Sequence, residues 1–141
     1  MPLSRDAKLM TGITVLLVPT IQFGGLTILG MLTQGAAGTG AGHATLNDLQ
    51  LSLFRAGHAH AGVWLVLSLV LQVLLDSAKL TAGLKWLARI AAPVATLALS
   101  GGFFGLAFKG EFRWLLYFGA SAMLVAVVLT GIGLLRNLKI D

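Results

Sequence analysis

The sequence predicts an all-α bundle of four transmembrane helices, and three observations predict it. Hydrophobic residues make up 57% of the 141-residue chain and charged residues only 11%, where a soluble domain carries roughly 25% charged residues. The mean hydropathy is +0.90. Four apolar runs, at residues 9–32, 52–76, 84–108 and 112–135, each reach the roughly 20 helical residues that cross a bilayer core. The alternating patterns of a membrane β-barrel are absent. A single integral membrane domain follows, solvated by lipid.

The first run competes with a signal peptide, because Arg5 and Lys8 precede it. Its apolar stretch exceeds the typical 7–15 residues of a signal core, so it reads as a span. Pro19 should bend it, since proline removes one backbone hydrogen bond. Thr20 and Gln22 can satisfy the freed carbonyls or face the bundle interior. A glycine-rich loop follows at residues 34–42, and His43 ends it. Residues 45–53 then read as a short amphipathic helix at the interface, leading into the second span. A connection this long is more often functional, or disordered. The later spans are joined by a polar turn at residues 76–83 and a tight turn at 109–111. Pro93 falls near the start of the third span.

The bases set an expected orientation. Arg5, Lys8, Lys79, Lys85, Arg89, Arg136 and Lys139 fall on one side, and Arg55, Lys109 and Arg113 on the other. The positive-inside rule places both termini in the cytoplasm, in what reads as a bacterial inner membrane. The net charge of +5 flanks apolar runs and forms no patch with interleaved aromatics, so nucleic acid is not expected as a partner. With no cysteine, thiolate metal sites, Fe–S clusters and disulfides are excluded. Small residues on every span offer close helix contacts, within one chain, in a homo-oligomer or in a larger membrane complex.

Chemistry concentrates in residues 54–64, FRAGHAHAGVW, where ionisable side chains run directly into a span. Ionisable groups inside a span face the bundle interior or water, and mark functional sites by default. His58 and His60 lie about 200° apart around a helix, so they cannot both hold one ion. Arg55, His58, Gly62, Leu65, Leu69, Gln72 and Asp76 share one broad face, assigned to the interior. That makes His58 the first candidate ligand or proton carrier. His60 falls with Ala56, Trp64 and Leu67, facing a neighbouring helix, a second subunit or the interface. His43 could fold back over the outward mouth, with Asp48 and Glu111 completing a site. Imidazole with carboxylate suits zinc, copper or iron; a haem b ligated by histidine is the other possibility, with Arg55 or Asp48 in support. Gln72 and Asp76 are expected to cap the far end of the second span.

The stretch FRAGHAHAGVWLVLSLV, residues 54–70, resembles the helix of haem–copper oxidase and nitric oxide reductase catalytic subunits that presents a haem-ligating histidine. The resemblance implies an axial haem ligand at His58 or His60. Those subunits have many more spans and further histidines on later helices; this chain has no histidine after His60, so oxidase catalysis does not carry over. The whole chain also looks like small four-span bacterial membrane proteins. Small multidrug transporters share the size but use a glutamate in their first helix, and none stands in the first run here.

The leading expectation is a metal- or haem-binding membrane protein with His58 as primary ligand and His60, His43, Arg55 and Asp48 in support. The second is an accessory or assembly subunit, and the third a small proton-coupled transporter or channel. No nucleophile–base pair marks an enzyme.

Overall fold

The computed structural model describes residues 2–36, 46–136 and 138, so residues 37–42 of the glycine-rich loop and His43 lie outside the described residues. Five α-helices and one 3₁₀ turn follow in order: α1 (Arg5–Val15), α2 (Val18–Ala36), α3 (Asp48–Ser77), α4 (Ala82–Leu106), the turn Gly110–Phe112, and α5 (Arg113–Leu135). Among the described residues, four helical stretches are long and apolar enough to cross a membrane, with α1 and α2 together forming the first. The all-helical bundle is the one the apolar runs predict, and among the described residues there is no strand.

Local chemistry moves three boundaries. Ser4 begins α1 four residues earlier than expected, because its Oγ accepts from the Ala7 N–H at 3.1 Å and satisfies an otherwise orphaned donor. The expected bend at Pro19 is a break: α1 stops at Val15 and a turn at Leu16 and Leu17 precedes α2. A helix continued to Pro19 would leave the Val15 carbonyl without its N–H. The interfacial helix expected around residues 45–53 is not a separate element. Asn47 and Gln50 form a reciprocal capping box, with Gln50 N–H on Asn47 Oδ1 at 2.9 Å and Asn47 N–H on Gln50 Oε1 at 3.0 Å. The helix started there contains neither glycine nor proline before Gly57, so it runs unbroken into the span. Gln50 Nε2 also donates to the Ala107 carbonyl at 2.9 Å, tying the start of α3 to the end of α4.

Helix α4 is the centre of the bundle. Its apolar window is 56% buried inside the protein, against 11% for the first span. Ala88, Ala91, Ala92, Ala95 and Ala98 are all buried, and these small side chains let α3 and α5 approach closely. Lipid tails are as apolar as leucine, so close packing and interhelical hydrogen bonds carry the association, not exclusion of water. Leu71, Ala91, Ala92, Ala95, Met123 and Ala126 form the core where the three helices meet, with Trp64 and Leu67 packed against it. The face of α3 that carries Trp64 and Leu67 therefore meets α4 and α5, whereas Arg55, placed on the interior face by the sequence reading, is exposed.

The α4–α5 seam depends on Gly119. A Cβ there would stand 2.8 Å from the Leu99 backbone nitrogen, which no side-chain rotation can relieve. Gly119→Val is expected to cost about 1–3 kcal/mol through overpacking, read from unfolding in mixed detergent micelles. Gly131→Val on the same helix is the control, because nothing lies within 4 Å of a Cβ there; equal effects at both positions would show that the seam is not tightly packed.

Pro93 lies in mid-α4, not near its start, and the helix continues through it. Proline at this position leaves the Arg89 carbonyl, four residues back, without its usual N–H. Gln72 Nε2 on α3 supplies the missing donor at 2.9 Å. In return Arg89 Nη1 donates to the Gln72 carbonyl at 2.9 Å and to Gln72 Oε1 at 3.2 Å, and Arg89 Nη2 pairs with Asp76 Oδ1 at 2.5 Å. Ser4 closes the cluster: its N–H donates to Asp76 Oδ2 at 2.8 Å and its hydroxyl to Asp76 Oδ1 at 2.6 Å. Gln72 and Asp76 thus do more than cap a helix end: they join α3 to α4 and to the start of α1. The adjoining α3–α4 turn also receives α5, through the Lys79 N–H on the Gly133 carbonyl at 2.7 Å.

Candidate functional site

His60 stands one turn beyond Ala56 on α3, and its Nδ1 lies 2.7 Å from the Ala56 carbonyl oxygen. A carbonyl can only accept, so in the neutral ring this bond places the proton on Nδ1 and the lone pair on Nε2. The ring is held between aromatic neighbours, 4.7 Å from Phe103 on α4 and 6.5 Å from Trp64 on its own helix, centroid to centroid. Orientation by a backbone carbonyl is the usual arrangement behind a metal-ligating histidine.

The same imidazole lines a pocket of about 500 Å³ between α3, α4 and α5, within the 300–1,000 Å³ of small-molecule and cofactor sites. His60, Trp64, Phe103 and Tyr117 form its aromatic part, and aliphatic side chains such as Met123 and Val127 the remainder. Tyr117 lies one turn into α5 and Val127 ten residues further on, so the pocket extends about 15 Å along that helix. Of the α5 side chains that line the pocket, Tyr117 carries the polar atom and lies toward the Arg113 end, whereas Met123, Leu124 and Val127 toward the other end are apolar. Trp64 Nε1 and Ser68 Oγ, one turn apart on α3, are buried without hydrogen-bond partners among the described residues.

His58 points elsewhere. Its ring lies over α2 at Gly24 and Gly25, and a Cβ on Gly25 would stand 2.9 Å from its Cε1 and 3.0 Å from its Nε2. A helix backbone without side chains is what makes room for the ring there. Asp48 is exposed in the first turn of α3, ten residues and about 15 Å of helix from His58. Arg55 is exposed. His43 lies outside the described residues. Among the described residues no group of three or more histidine, aspartate or glutamate side chains converges as a metal site. The sequence-derived set is therefore not one cluster: His60 has the pocket, and His58 and Asp48 face other surroundings.

The sequence reading missed the Arg89 cluster. Arg89 entered it only as one flanking base among seven, yet it is 2% exposed and Gln72 is fully buried. Two signals in the sequence pointed to it: Gln72 and Asp76 spaced four apart on one helix face, and an arginine five residues inside an apolar span, where a lone base is costly.

Comparison with protein families, curated proteins and solved structures finds no match to this chain. The fold itself defines the class: an integral membrane protein whose described residues form four apolar helical spans, with α4 the most buried of them.

Proposed function

We propose that this is a haem-binding integral membrane protein in which His60 Nε2 is the protein's ligand to the iron. The observation that carries the reading is the oriented imidazole: Nδ1 engaged by the Ala56 carbonyl and Nε2 without a hydrogen bond among the described residues, in a pocket otherwise almost wholly apolar. A bare zinc or copper ion takes three or four protein ligands, more than the described residues bring together here. A porphyrin carries four ligands of its own and needs only one or two from the protein. A flat apolar ring also suits aromatic walls and entry from lipid. In this reading His58 is not the ligand; it packs α2 onto α3. The distribution of bases favours the pocket lying near the outward face, with the Arg89 cluster toward the cytoplasm.

The test is an absorption titration of the detergent-purified protein with iron protoporphyrin IX. Wild type and His58→Ala are expected to give the same stoichiometric Soret band, and His60→Ala to lose it. A band that survives His60→Ala, or no stoichiometric band in wild type, overturns the proposal.

A further inference from the structure

We infer that Arg113, supported by Tyr117, holds an anionic edge of the molecule in the His60 pocket. This rests on the haem reading of that pocket and adds the residues that would orient the occupant. Arg113 opens α5, and Tyr117, one turn later at the i+4 position, lines the pocket. Side chains at this spacing are neighbours on one helix face. The guanidinium of Arg113 lies 5.8 Å from the centroid of the Trp114 ring, and Trp114 meets Tyr117 edge-on at 5.5 Å. Arg113 and Trp114 are exposed and do not line the pocket themselves; they adjoin it through Tyr117, which does.

Arg113 makes no ion pair among the described residues; the pair found there is Arg89 with Asp76. Glu111, two residues away on the 3₁₀ turn, is exposed and does not engage it. The far end of the pocket, at Met123, Leu124 and Val127, offers no polar atom to an occupant. An amphipathic ligand therefore has one favourable direction, with its apolar body along α5 toward Val127 and its acidic edge toward Arg113. Iron protoporphyrin IX fits that polarity, since both of its carboxylates lie on one edge. Arginine can take a carboxylate through two parallel N–H donors, which lysine cannot.

The experiment compares iron protoporphyrin IX with its dimethyl ester, which keeps the ring and iron but has no carboxylate. Both are titrated in neutral detergent, without phospholipid, into wild type, Arg113→Gln, Arg113→Lys and Tyr117→Phe. Arg113→Gln is expected to weaken the diacid by about tenfold, the scale of one charged hydrogen bond, and to leave the ester unchanged. Arg113→Lys should recover part of the loss, and Tyr117→Phe should give a smaller loss confined to the diacid. If Arg113→Gln leaves both porphyrins unchanged while binding stays His60-dependent, the inference falls and the pocket reading stands. Arg113 would then be a headgroup contact, seen as weaker binding of Arg113→Gln to vesicles containing anionic phospholipid. If neither porphyrin binds in a His60-dependent way, the pocket reading itself falls.

Discussion

Asp76→Leu is expected to destabilise the bundle by roughly 3–5 kcal/mol, the cost of stripping one partner from a buried ion pair. Asp76 is the more exposed partner, with its side chain 22% accessible against 3% for Arg89. Its loss therefore strands the charge that is harder to solvate. Arg89 would keep its bonds to the Gln72 carbonyl and side chain, which are dipoles and cannot balance a full charge in a lipid-facing bundle. Ser4 would lose both of its bonds to the carboxylate, freeing the start of α1. Adding Arg89→Met should recover most of the loss, because apolar replacement of a whole buried pair is often neutral. Detergent-micelle unfolding of the two single variants and the double variant measures this. A double variant as unstable as the sum of the singles would mean that the pair is not coupled.

Much of the architecture could be read in advance because run length and hydropathy are local properties. Residues 52–76 or 112–135 announce a span without knowledge of any neighbour. The start of α3 was also within reach: Asn47 with Gln50 three residues later is the capping-box pattern, and it opens α3 itself where the amphipathic character of residues 45–53 suggests a separate interfacial helix. What was hidden is long-range. The 200° between His58 and His60 follows from helix geometry, but which of them meets a pocket depends on which helix lies opposite. On the Arg55–Asp76 face assigned to the interior, Leu65 and Gln72 are buried, but Arg55 at its outer end is exposed, and Trp64 and Leu67 from the other side also pack against the core. Arg89 failed for a related reason. Counting bases for orientation treats each as a flank charge, and only the facing Gln72 and Asp76 turn this one inward.

The Pro93 carbonyl exchange supplies the second large effect. Gln72→Leu should cost about 1–3 kcal/mol for the Arg89 carbonyl left without a donor, and more for the acceptor lost to Arg89 Nη1 at 3.2 Å. Pro93→Ala restores an N–H at position 93 that can close the helical bond to that same carbonyl. In the Pro93→Ala background Gln72→Leu should therefore cost less, by a coupling energy of about 0.5–3 kcal/mol for residues sharing one network. Interhelical hydrogen bonds in membranes average about 0.6 kcal/mol, because a chain unfolded within lipid also finds partners. A proline-freed carbonyl lacks that compensation in its own helix, which places this pair above the average. Additive losses would show that the Arg89 carbonyl finds its donor elsewhere. Coupling of the expected sign would identify Gln72 as the residue that lets α4, the most buried helix of the bundle, carry a proline at its centre.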